Sequence, residues 1–117
     1  MNEFPEFIRN RANAVASSQK SEGVEGYVFD GIEGSQAILF QCVKGGISNE
    51  HVHDFDEYFV VIQGEYTLGI EGREIRLAVG QEYHIPQGVP HDGAFIAGTR
   101  TINIIFGGKR ADRRSRG

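Results

Sequence analysis

Cysteine occurs once in this chain and proline three times, and no stretch approaches the roughly eighteen apolar residues of a membrane span. The single thiol, Cys42, excludes an intrachain disulfide and falls in the apolar run AILFQCV, where a buried, inert side chain is expected. The opening MNEFPEFIRNR lacks a basic segment followed by a long apolar one, so the chain reads as a soluble, cytoplasmic protein. Basic charge is also scarce. Up to Gly108 there are seven basic residues against fifteen acidic ones, about -8, which makes the body a poor nucleic-acid surface. The other five basic residues, Lys109, Arg110, Arg113, Arg114 and Arg116, form a short tail expected to be solvated and disordered. No Ser/His/Asp arrangement, phosphate-cradling glycine loop or dinucleotide fingerprint is present, which argues against covalent-nucleophile hydrolases and nucleotide enzymes.

What is present is glycine, at 16 of 117 positions, spread through a length that fits one domain. From Gly26 onward, short strand-like runs alternate with glycine-containing turns, the pattern of a small all-β protein. The runs are 26–30, 36–44, 51–53, 57–63, 66–71, 74–77, 83–85, 92–96 and 99–106, with Glu71-Gly72-Arg73 the clearest hairpin turn. Ahead of them, Phe4, Phe7, Ile8, Ala12 and Val15 have a roughly helical spacing. This predicts a short amphipathic helix from Pro5 to about Ser18, followed by a polar connector. The run YFVVI, Tyr58 to Ile62, is apolar on both faces, so either that helix or a second subunit should cover its outer side.

Four residues stand at fixed offsets from glycines and prolines. His51, His53 and Glu57 lie in G45-x5-H-x-H-x3-E-x6-G64, and His91 closes G80-x5-P-x-G-x2-H. Two histidines at i and i+2 of a strand share a face and can converge on one ion. Pro86 fixes the entry to the last turn and Gly88 permits a positive φ there. Three imidazoles and one carboxylate suit Mn, Fe, Ni, Co, Cu or Zn as the divalent ion and leave positions open for water or substrate, unlike a closed, thiolate-rich structural zinc site.

These two segments resemble the paired motifs of the cupin superfamily, G-x5-HxH-x3,4-E-x6-G and G-x5-P-x-G-x2-H-x3-N. The resemblance implies a jelly-roll β-barrel with an ion in its mouth, held by His51, His53, Glu57 and His91. It also implies a domain over 21–108, preceded by a helix and connector (1–20) and followed by the tail (109–117). Two positions depart from the pattern: Phe95 replaces the motif Asn, and Gln81 replaces a frequent Asp.

If Glu57 faces inward, so do Phe59 and Val61, giving the ion an apolar wall. Tyr83 and Asn103, the latter with Thr101 on one face of the last strand, are further pocket candidates. His84 is a candidate proton-transfer group, weighed against an outward-facing polar residue. Tyr27, Tyr58 and Tyr66 are expected to pack, and Asp54 and Asp56 to be solvated turn carboxylates. The functional expectation is a metalloenzyme of dioxygenase, isomerase or lyase type acting on a small polar molecule, with a non-catalytic metal-dependent binding or sensing module as the alternative. A homodimer with a small-molecule ligand, and neither membrane nor nucleic acid as partner, completes the reading.

Overall fold

The computed structural model describes residues 1–16 and 21–107. Among these, nine strands form two antiparallel sheets closed into a jelly-roll β-barrel. The strands are β1 (Val24–Asp30), β2 (Gln36–Cys42), β3 (Gly46–His51), β4 (Asp56–Gln63), β5 (Tyr66–Ile70), β6 (Arg73–Leu77), β7 (Glu82–Ile85), β8 (His91–Phe95) and β9 (Arg100–Phe106). One sheet runs β1-β2-β9-β4-β7 and the other β3-β8-β5-β6. Because alternate residues of each strand point inward, the two sheets close over a shared apolar interior. The β5–β6 turn shows why the sequence reads as a hairpin. Glu71 and Gly72 both adopt positive φ, 52° and 74°, the two-residue geometry whose twist matches that of the flanking strands.

The closed end of the barrel is filled by Phe59, Val61, Leu68, Ile70, Leu77 and Ile85. Leu68 and Val61 are wholly inaccessible, and each such side chain stabilises the fold by about 2 kcal/mol. Val15, Val28, Ile38 and Ile105 form a second cluster, and Val24, Cys42 and Phe95 a third. Cys42 is buried as expected, and burial pushes its thiol up to about 11, too high for ready ionisation.

The N-terminal segment corrects the expected helix. Instead, one turn at Pro5, closed by Ile8 and Arg9 N–H groups on the Pro5 carbonyl, leads to a single 3-10 turn at Arg11–Asn13. The chain then runs extended along the edge of β1, with Ala14 bridged to Tyr27 and the Val15 N–H donating to the Gly26 carbonyl at 2.8 Å. A short isolated helix is marginal in water, whereas an open sheet edge offers unpaired backbone groups that an extended chain satisfies. The helix-like spacing has separate causes: Phe4 and Val15 plug different sites, while Phe7 is 73 % exposed. Phe4 lies under the Arg100 guanidinium, 4.9 Å from its ring centroid, and its N–H donates to Gln41 Oε1. Thus only one end of the outer face of the five-stranded sheet is covered, and Tyr58, Ile104 and Phe106 remain exposed. Of the expected connector, Ser17 to Glu25, residues 17–20 lie outside the described residues and Val24 and Glu25 already belong to β1; the tail from Lys109 lies outside them altogether.

Candidate metal centre

The two motif segments meet at the barrel mouth. His51 is the last residue of β3 and pairs with His91, the first of β8, while Glu57 enters from β4 of the opposite sheet. His53 sits beyond the end of β3, which corrects the expected strand over 51–53. The ladder is irregular between Ser48 and His51, and the chain turns toward β4 after His51. The loop carrying His91 is tied to the one carrying His53. The Gly88 N–H donates to the His53 carbonyl at 2.9 Å, and the Gln87 N–H to Asp56 Oδ1 at 3.2 Å. Gly88 holds φ at 81°, the conformation its place in the motif calls for.

The three imidazoles converge. Their facing ligand atoms lie within 4.8 Å of one another, and His51 Nε2 is 3.1 Å from His53 Nε2. Glu57 Oε1 lies 3.6 Å from His53 Nε2, beside the trio. Two rings are oriented by backbone: His51 Nδ1 is 2.6 Å from the Asn49 carbonyl, and His91 Nδ1 is 3.0 Å from the Val89 carbonyl. A carbonyl only accepts, so each Nδ1 carries the proton and each Nε2 keeps its lone pair for the centre. Among the described residues, His53 has no such carbonyl. Its ring is stacked on Phe55 instead, at 4.3 Å and 16°.

Electrostatics favour neutral rings at His53 and His91. Burial, with the neighbouring His51 and His91, holds His53 down to about 4, and burial also lowers His91. Burial pushes Glu57 up to about 7, so its charge is costly unless a cation comes near. Neutral nitrogen donors beside a carboxyl that gains from a cation form a donor set suited to a divalent transition ion.

Behind the centre lies a cavity of about 170 Å³. Phe59 and Asn103 line it, together with Phe40, Tyr66, Ile85, Phe95 and Thr101. Val61 and Tyr83 do not. Val61 is sealed into the closed end, and Tyr83 packs on that cluster with its hydroxyl accepting from Arg73 at 3.3 Å. His84 points outward from β7 and pairs with Asp56 at 3.2 Å, well exposed and outside the cavity wall. Asp56 is thereby occupied in joining two loops, its carboxyl held low by the Gln87 N–H and His84. The motif departures have structural consequences. Phe95 is buried, lines the cavity and stacks on Tyr66, while Gln81 Oε1 accepts the Ala78 N–H across its turn. Tyr66 was expected only to pack, yet it forms cavity wall. It stands on the inner face of β5 above Gly93, where a Cβ would collide with its hydroxyl and ring.

Comparison with known proteins agrees with this fold. A sequence profile of the cupin domain matches residues 38–103. The HTH-type transcriptional regulator PuuR of Escherichia coli strain K12 is 35% identical over 57 residues, 47% of this chain, and the matched part is 31% of the regulator's length. Among solved structures, an RmlC-like cupin from Shewanella frigidimarina superposes with a TM-score of 0.69 at 18% identity, covering 90% of this chain and 93% of the other. KdgF of a Halomonas species gives 0.66 at 17% identity, over 78% and 89%. At such identities the structural likeness speaks to the fold.

Proposed function

The chain belongs to the cupin domain family, and from that premise we propose that it is a metal-dependent enzyme acting on a small polar molecule. His51, His53 and His91 would hold one divalent transition ion (Mn, Fe, Ni, Co, Cu or Zn) through Nε2, with Glu57 as the carboxylate of the set. The observation that carries this reading is the convergence of three imidazoles, two of them with Nδ1 fixed on backbone carbonyls, at the mouth of a largely apolar cavity. Bound there, such an ion would supply Lewis acidity toward a carbonyl or carboxylate oxygen, chemistry of the isomerase or lyase type, or, if it is iron, redox chemistry with dioxygen of the dioxygenase type. The protein's own part is to orient the imidazoles, exclude water with Phe40, Phe59, Ile85 and Phe95, and offer Asn103 and Thr101 to the ligand. Among proteins sharing the fold, DMSP lyases give a TM-score of 0.62 at 17% identity, over 72% of this chain.

Elemental analysis of protein purified without chelator tests the centre. About one equivalent of a transition metal is expected, and a His51→Ala, His53→Ala double variant should lose it. Retention of metal by that variant would remove the reading.

The second reading, a non-catalytic ligand-binding or sensing module, is favoured by the similarity to a transcriptional regulator. Oxygen uptake, or turnover of unsaturated sugars and small diketones, by Fe(II)- or Mn(II)-loaded protein would support the enzyme; tight retention of ligand without product would support the module. The proposal also includes a cytoplasmic homodimer, in which a second copy covers the exposed outer face of β4 and β9.

A further inference from the structure

The inner end of the cavity carries a polar pair whose bonding is unusually asymmetric. Asn103 is 4 % exposed, and both hydrogens of its Nδ2 are consumed inside the protein, one on the Ile38 carbonyl at 3.1 Å and one on Thr101 Oγ1 at 2.8 Å. The Ile38 carbonyl only accepts, which fixes the amide with Nδ2 toward it. Asn103 Oδ1 is left with no donor among the described residues, yet no buried side-chain oxygen lacks a partner, so Oδ1 opens onto the cavity that Asn103 lines. Thr101, two residues earlier on the same inward face, accepts from Asn103 and so keeps its own O–H to donate. One acceptor and one donor therefore stand side by side. A hydroxyl group, which donates and accepts through one oxygen, matches that pair; a methyl or an ammonium group does not.

Position and size narrow the ligand. Asn103 pairs with Phe59, and Glu57 with Ile105, so Asn103 and Glu57 are diagonal neighbours on adjacent strands, on the order of 7–8 Å apart along the backbone. The cavity, about 170 Å³, is close to the roughly 150 Å³ that accommodates one benzene. A ligand of about seven heavy atoms would reach from the histidines to Asn103 and fill the space. The wall between is apolar, and no Lys or Arg lines it among the described residues.

We propose that Asn103 and Thr101 form a neutral hydroxyl-binding subsite, so that the cavity takes small oxygen chelators carrying a hydroxyl beyond the atoms that would engage the ion. This rests on the metal reading above and adds the substrate class to it.

The test uses full-length protein loaded with Co(II), whose visible absorption reports ligand binding without any turnover. Hydroxypyruvate and 2-oxobutanoate present the same α-keto acid chelate and differ only in a hydroxyl against a methyl. Hydroxypyruvate should bind about 3- to 10-fold tighter, the range expected from one or two net hydrogen bonds. That preference should vanish in Thr101→Val and in Asn103→Leu, each checked for wild-type Co(II) uptake. Equal affinities in the unaltered protein, no spectral response to either acid at millimolar concentration, or a preference that survives both variants would overturn the subsite while leaving the metal reading intact. Failure to take up Co(II) at all would overturn both. The ligand series on the unaltered chain tests the preference itself, and because the two variants are independent, failure of one to fold leaves the other to locate it.

Discussion

Glu57 is where burial and charge pull against each other most strongly. In the metal-free protein its carboxyl keeps a proton up to about pH 7, whereas the unfolded chain releases it near the ordinary 4.5. The folded state thus binds more protons through that window, and stability falls as pH rises across it, by up to about 3 kcal/mol. His53 acts in the opposite sense, since its neutral ring is favoured by the fold and stability is lost as pH drops from 6.5 toward 4. Comparing wild type with Glu57→Gln isolates the carboxyl. By urea denaturation without metal, the variant should gain on wild type by about 1–3 kcal/mol between pH 5 and pH 8; a flat difference would contradict the burial argument. Phe55 offers a second test, because its ring stacks flat on that of His53. Phe55→Ala should weaken metal binding on the order of 10-fold in competition with a chelating dye, the scale typical of removing a group that orients a ligand. The meeting of His51, His53 and His91 was legible from the motif spacing, since glycines and prolines mark the offsets. The brace was not, because an aromatic two positions past a histidine carries no signal until the chain turns.

At the scale of elements, β5 and β8 are coupled through one missing side chain. Tyr66 lies over Gly93, so Gly93→Ala must push the phenol aside at a cost of about 1–3 kcal/mol. In a Tyr66→Ala background the same change should cost little, and a thermal-denaturation cycle of the four proteins measures the coupling. Equal costs in both backgrounds would show that the contact is unimportant. Most strands were readable because alternating apolar residues and glycine turns fix them locally; β4, β7 and β9 came within a residue of their observed bounds. Two elements were misread for physical reasons. Around His51-Val52-His53 the i, i+2 rule presumes a regular strand, but β3 ends at His51 and lies mostly before the histidines. In the N-terminal segment, helical spacing competed with an open sheet edge, a tertiary feature that is invisible to a local pattern. Cavity lining was half legible: the parity of β4 ties Phe59 and Val61 to the side Glu57 faces, and that of β9 puts Asn103 on one face with Thr101, but parity could not say that this face is internal or that Val61 lies past the cavity floor.

At the scale of the whole molecule, the exposed Tyr58, Ile104 and Phe106 form an apolar area on the five-stranded sheet that the N-terminal segment leaves open. Light scattering at tens of micromolar should find a dimer, and Ile104→Glu should dissociate it with metal content unchanged; a monomeric wild type would contradict the homodimer. No helix among the described residues is long and apolar enough to cross a membrane. The mouth of the barrel draws its four residues from both layers: His51 and His91 from one sheet, Glu57 from the other, and His53 from the chain that crosses between them. A cation held by all four, as proposed, would therefore rivet the two layers of the sandwich and restrain breathing of the fold. With free ion at about a hundredfold its dissociation constant, the rivet adds roughly 2.7 kcal/mol against unfolding. Amide hydrogen exchange should then slow in β3, β4 and β8 together, as one unit, while β6 at the far edge keeps its own pace.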